Sequence, residues 1–206
     1  MMTHTMPVIT VAYLLGCITT GYYLVRFLTG QDIRATASGN LGSRNVGRLL
    51  GTKGFVLTFI GDAGKGLLAV WLARHLSSPP WLPCAALLAA VAGHIWPAQL
   101  GLRGGKGFAT FAGGMILLKP VVLLAGLALC VMAYPLLRGT TRTGLLALAC
   151  SPLLAVLESR YRGVPSATVE TGLYCLLVVV ILHAHRANIR KEFFSHHGGP
   201  DKICDP

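Results

Sequence analysis

GFATFAGGMILLKPVVLLAGLAL (107–129) decides how many times this chain crosses a membrane. Its one charge, Lys119, is followed at once by Pro120. Proline fits the first turn of a helix, but inside one it removes a backbone hydrogen bond and collides with the preceding turn. The pair therefore marks either a tight break between two spans, 107–118 and 120–137, or a kink in one long span. Outward from there, apolar runs predict further helices near 7–28, 53–75, 81–100, 143–159 and 166–185. The bias of Lys and Arg toward the cytoplasmic side separates the two counts. Seven spans gather thirteen basic residues on one side and leave four, Arg74, Lys119, Arg160 and Arg162, on the other. Six spans reduce the split to nine against seven. The expected architecture is an all-α membrane bundle of seven transmembrane helices, with the N-terminus outside and the C-terminus in the cytoplasm.

Composition agrees. Of the 206 residues, 53% are hydrophobic and 12% charged, so residues 1–206 read as one integral membrane domain. The formal charge of +11 is spread through short connectors and the tail rather than along one face. That pattern disfavours nucleic acid and suits membrane lipid or a phosphate-bearing substrate. Six cysteines form no CxxC and no ligand spacing with the seven histidines, so neither a metal site nor a cofactor is expected.

Three polar segments fall on the predicted cytoplasmic side. In RGGKGFAT (103–110), glycines ahead of a helix let backbone N–H groups converge on an anion, and Lys106 adds a point charge. It is not a Walker loop, because Leu100 and Gly107 stand where that pattern needs Gly and Ser or Thr. A flexible basic loop would read the same way. SGNLGSRNVGR (38–48) offers Ser, Asn and Arg donors suited to phosphate and hydroxyl groups, although the same residues also build plain turns. In HRANIR (185–190), His185 and Asn188 share a helical face beside Arg186 and Arg190, which equally fits a helix end anchored at the interface. Within the membrane, GDAGKG (61–66) puts Asp62 and Lys65 on one face of an apolar helix, either fixing packing or supporting a site. His94 lies in GHIWP, about ten residues before the glycine loop. The tail HHGGPD (196–201) spells the H-x-x-x-x-D of many glycerolipid acyltransferases, but no folded domain surrounds it and it is set aside.

Together, SGNLGSRNVGR, GDAGKG, GHIWPAQLGLRGGKGFAT and HRANIR resemble, in order and over most of the chain, the bacterial acyl-phosphate:glycerol-3-phosphate acyltransferase family. The resemblance implies a polytopic enzyme of the bacterial cytoplasmic membrane with its site on the cytoplasmic face. It implies acyl transfer from acyl phosphate to glycerol 3-phosphate, without direct use of acyl-CoA or acyl carrier protein. Functional coupling to an acyl-phosphate-forming enzyme follows. Ser38, Arg48, Lys106, His185 and Asn188 would contact substrate or the transferring group, while Gly104, Gly105 and Gly107 shape the loop. Asn40, Asn45, His94 and Thr110 match further motif positions, and Asp62 and Lys65 support the site.

Two departures stand out. The family's Ala-Thr in the first motif is Ser43-Arg44 here, which adds a cation to the substrate-binding region, and the tail after HRANIR differs. Both leave room for a paralogue that acylates another phosphorylated acceptor. An anion transporter or channel is the alternative from another class. It would show polar groups along a path to both faces and often inverted repeats. Here the outer connectors are short and the 38–48 motif has no second copy.

Overall fold

A computed structural model of the chain describes residues 5–36, 38–76, 79–163 and 168–194. Their helices are α1 (Thr5–Cys17), α2 (Thr20–Thr29), α3 (Ser43–His75), α4 (Leu82–Ile95), α5 (Phe108–Leu118), α6 (Pro120–Leu137), α7 (Thr140–Tyr161), α8 (Thr168–Ala184) and α9 (Arg186–Ile189). The H-x-x-x-x-D of the tail lies outside the described residues.

Among the described residues, five stretches are long and apolar enough to cross a bilayer: Thr5–Thr29, Ser43–His75, Leu82–Leu100, Pro120–Leu137 and Thr140–Tyr161. Thr168–Ala184 and Arg186–Glu192, bent by 61° at their junction, make a sixth if the pair is one span. The decisive break is present, for Lys119 leaves helical geometry (φ −147°, ψ 74°) and Pro120 opens α6. Yet α5 has only 11 residues. At 1.5 Å per residue that is about 16 Å, roughly half of a ~30 Å hydrocarbon core. The predicted segment 107–118 thus exists as a separate but short helix.

Two further breaks carry no proline. Ile18 and Thr19 separate α1 from α2. Gly51, with φ 68°, bends α3 between residues 43–50 and the apolar remainder, a conformation that glycine adopts without steric cost.

Helix α4 is the centre of the bundle and packs on α1, α3, α5 and α8. Its span is 72% buried, against 6% for α6, which leans on α7 and turns Leu124, Val131, Met132 and Leu136 outward. Helices α3 and α5 come together backbone to backbone. A Cβ on Gly66 would overlap the Thr110 carbonyl oxygen, and one on Gly113 would overlap the Ala63 carbonyl oxygen. Small residues permit such close approach between helices in a membrane. The close packing sets the start of α5, and the glycine loop before it, beside Asp62 and Lys65.

Candidate active site

The 38–48 segment is folded by its second asparagine. Asn45 is buried, accepts a hydrogen bond from the Ser38 N–H (3.2 Å) and donates one to the Thr36 carbonyl (3.2 Å). It braces the loop across the first turn of α3 and does not line the cavity described below. Ser38 is exposed, as is Arg48, and neither lines the cavity.

The glycine loop differs from its sequence reading in one respect. The Gly104 N–H donates to the Ile95 carbonyl and the Gly105 N–H to the His94 carbonyl, each at 3.0 Å. Both donors, expected to be free for an anion, satisfy the last carbonyls of α4, which a helix end leaves open. Donors left for a ligand include those of α5's own first turn, which begins after Gly107 in the left-handed region (φ 78°). Between them Lys106 extends its ammonium to Asn188 Oδ1 at 2.7 Å. Burial, and then the charge of the Arg44 guanidinium, push the Lys106 pKa below its usual value.

Beneath the loop lies a buried ionic cluster. Asp62 Oδ1 stands 3.0 Å from Lys65 Nζ. Lys65 Nζ is also 3.0 Å from the Gly16 carbonyl oxygen, 2.9 Å from that of Ile18 and 2.7 Å from His94 Nδ1. Asp62 Oδ1 also accepts from the Thr20 N–H at 3.3 Å. The pair therefore treats both sides of the α1–α2 break, with an ammonium on carbonyls at the end of α1 and a carboxylate on an amide at the start of α2. Each sign suits the partial charge of the helix end it meets. An isolated ion at this depth would be costly, whereas a paired one with its hydrogen bonds satisfied is tolerated.

These elements enclose a cavity of about 240 Å³. Of the predicted residues, Asn40, Arg44, Asp62, His94, Lys106, Gly107, His185 and Asn188 line it. Thr110 does not: its side chain is fully buried and its hydroxyl has no hydrogen-bond partner among the described residues. Gly104, Gly105 and Lys65 stand behind the wall. His185 sits at the α8–α9 bend, where its Nδ1 is 2.9 Å from the Ile181 carbonyl oxygen. A carbonyl can only accept, so Nδ1 carries the proton and a neutral His185 keeps a lone pair on Nε2. Arg44 reaches across the mouth to the Thr141 hydroxyl at 2.7 Å.

Sequence reading missed the remaining wall, made by Phe55 and Phe59 of α3, Phe108 of α5 and Thr140, Thr141, Gly144 and Leu145 of α7. The spacing of Phe55 and Phe59 at i and i+4 was the one available signal, and their rings stack 6.2 Å apart. Helices α3, α5 and α7 all begin at this cavity after a glycine (Gly42, Gly107, Gly139), and no side chain caps any of them. Three uncapped N-termini with Arg44 and Lys106 make a strongly anion-attracting space.

The sequence family described as glycerol-3-phosphate acyltransferase matches residues 6–194. Glycerol-3-phosphate acyltransferase 1 of Desulfitobacterium hafniense (strain Y51) is 43% identical over 180 residues, covering 87% of this chain and 86% of that protein. Glycerol-3-phosphate acyltransferase of Clostridioides difficile (strain 630) is 36% identical over 186 residues, covering 88% of each. Among solved structures, the glycerol 3-phosphate form of PlsY (YgiH), an integral membrane glycerol 3-phosphate acyltransferase, superposes with a TM-score of 0.79 at 30% identity. That likeness covers 91% of this chain and 90% of the other.

Proposed function

The chain belongs to the glycerol-3-phosphate acyltransferase family, and from that premise we propose that the cavity beside Lys106 is its catalytic site, with an acyl phosphate as donor. The protein is a multi-pass membrane enzyme that acylates glycerol 3-phosphate to 1-acylglycerol 3-phosphate, a first step of phospholipid synthesis. With an acyl phosphate as donor the second product is inorganic phosphate.

One observation carries this assignment. Asn40 and Arg44 from the first motif, Lys106 and Gly107 from the second, and His185 and Asn188 from the third line one cavity, though they are far apart in the chain. Both substrates bear phosphate, and the three helix N-termini with two cations favour such ligands. The acceptor hydroxyl attacks the acyl carbon, the bond from that carbon to the phosphate oxygen breaks, and phosphate leaves. His185 Nε2 takes the hydroxyl proton, and Lys106 balances charge on the transferring group. Asn188 holds the ammonium in place. Because an acyl phosphate is already activated, no covalent acyl-enzyme is needed, and orientation of two bound substrates supplies much of the rate. Ser38 and Arg48 enter as substrate contacts on their motif positions alone.

The proposed topology keeps seven spans in one domain of residues 1–206, with the N-terminus outside and the cavity open to the cytoplasmic side of the bacterial inner membrane. The thirteen-to-four split of basic residues supports it. Lys119 and Glu170, paired at 3.2 Å, then mark the outer end of α5. A helix of about 16 Å rising from the loop leaves the site recessed into the inner leaflet, where a lipid-derived acyl chain can stay in hydrocarbon while its phosphate reaches the loop. Coupling to an acyl-phosphate-forming enzyme would spare a hydrolysable donor from water. Purified protein in lipid nanodiscs, given labelled acyl phosphate and a panel of phosphorylated alcohols, should acylate glycerol 3-phosphate. Transfer from acyl-CoA but not from acyl phosphate would overturn the donor assignment.

A further inference from the structure

The ionic cluster does more than close a broken helix. Lys65 Nζ has three hydrogens and four acceptors within 3.0 Å, and the shortest distance, 2.7 Å, is to His94 Nδ1. An ammonium has no lone pair, so the atom that faces it must offer one. His94 Nδ1 is therefore bare, and the proton of the neutral ring lies on Nε2. Asp62 Oδ1, 3.7 Å from Nδ1, is too far to compete for a hydrogen bond. On the other edge of the ring, Nε2 makes no hydrogen bond to the described protein, although His94 lines the cavity. Nε2 occupies the space that a side chain on Gly105 would take, for a Cβ there would overlap it.

We propose that His94 is a hydrogen-bond donor of fixed tautomer, presenting Nε2–H to an oxygen of the bound substrate, and that Lys65 and Asp62 are the positioning residues that hold it so. The proposal rests on the cavity being the catalytic site. It gives the two cavity histidines opposite work. His185, its Nδ1–H held by a carbonyl, offers a lone pair, while His94, its Nδ1 held by an ammonium, offers a proton it does not release. A neutral donor of this kind strengthens as negative charge develops on its acceptor without adding a charge to the site. The acceptor is a phosphate oxygen in the ground state or the acyl carbonyl oxygen as it becomes an oxyanion, and kinetics separate the two.

The test uses full-length protein in nanodiscs with 15N-labelled histidine. The resonances that vanish in His94→Gln identify His94, and they should show a protonated Nε2 and a bare Nδ1. In Lys65→Met that preference should be lost. Glutamine keeps an N–H donor at similar reach, so His94→Gln should retain activity within about tenfold, whereas His94→Leu should lose about 100-fold, the usual cost of one donor to a developing oxyanion. A loss confined to kcat assigns the donor to the oxyanion, and a rise in KM for glycerol 3-phosphate assigns it to the phosphate. A protonated Nδ1 in the wild-type protein overturns the proposal, as does His94→Gln being as inactive as His94→Leu. Lys106→Ala, assayed beside them, keeps the two levels apart. If it stays active, the cavity assignment falls; if it is dead while His94→Leu is fully active, only the role of His94 falls.

Discussion

His94 approaches the cavity from the interior, on a span that is 72% buried, with Nδ1 fixed by Lys65 and the glycine loop hydrogen-bonded to the last carbonyls of its helix. His185 and Asn188 approach from the opposite wall, at a 61° bend where the chain leaves the bundle, and Arg44 closes the mouth from an exposed first turn. On the first side the Gly104 and Gly105 amides, Lys65, Asp62 and His94 Nδ1 all have partners within the protein. On the second, Lys106–Asn188 and Arg44–Thr141 are single hydrogen bonds beside open space. The labour is divided: the buried side sets the geometry, and the rim supplies charge and lone pairs that substrates can engage.

The largest effect belongs to the one cation that joins the two sides. Lys106→Ala should lower kcat/KM by about 10³-fold, since it removes a preorganised charge from the transferring group. Lys119→Ala, which breaks an ion pair at the far end of α5, should change it by less than about threefold, as expected of a partly exposed pair. Similar losses in both variants, measured on folded protein, would mean that Lys106 serves packing or insertion.

The buried side can be disturbed without touching a charge. Gly105→Ala puts a methyl group where His94 Nε2 sits, whereas a Cβ on Gly64 meets nothing within 4 Å. We expect Gly105→Ala to cost about 100-fold in kcat, the scale of a misplacement near 1 Å, and Gly64→Ala to be neutral. A fully active Gly105→Ala enzyme would show that the loop tolerates a shifted histidine, and with it that the buried side does not set the geometry.

Much of this was readable in advance, for reasons that differ from element to element. The break at Lys119–Pro120 was legible because proline ends one helix and starts another by covalent geometry. The breaks at Ile18–Thr19 and Gly51 were not, because neither contains a proline and each is stabilised by residues distant in sequence or by glycine's freedom alone. Asp62 and Lys65 could be placed on one face from their spacing, but the carbonyls that Lys65 meets and the amide that Asp62 meets lie at the α1–α2 break, more than forty residues earlier. The loop N–H groups of Gly104 and Gly105 looked free because their partners, the last carbonyls of α4, come close only once the chain turns at 96–101. Thr140 and Thr141 fell outside the predicted helix 143–159, and their importance comes from where the observed helix start is placed.

Titration addresses the rim. Burial and the Arg44 charge both favour loss of the Lys106 proton, so its pKa lies below the ordinary lysine value of 10.5. The cation is the working form. While His185 stays neutral, activity should therefore be full up to that pKa and fall about tenfold per pH unit above it, on an alkaline limb that begins earlier than a free lysine would give. Lys106→Arg, which stays charged throughout, should abolish the limb in whatever activity it retains. An unchanged alkaline limb in Lys106→Arg would assign the limb to another group.

The smallest effect expected is the most specific to this chain. Arg44 stands where the resembling family has threonine, and two arrangements were open to it, toward the site or toward anionic headgroups. The guanidinium lines the cavity, donates to Thr141 at 2.7 Å and depresses the Lys106 pKa, so its charge acts inward. A second cation at the mouth favours acceptors that carry more negative charge, or carry it further from the reacting hydroxyl. Arg44→Thr should then shift the ratio of kcat/KM values among phosphorylated acceptors by up to about tenfold, equivalent to about 1.4 kcal/mol of differential transition-state binding. It should also move the alkaline limb upward, because one of the two causes of the lowered Lys106 pKa is gone. Thr141→Val frees Arg44 without removing it, so the limb should remain low while acceptor ratios move less. An Arg44→Thr enzyme with the wild-type acceptor profile and an unmoved limb would place the guanidinium outside the reaction, leaving the recruitment of anionic lipid as its role.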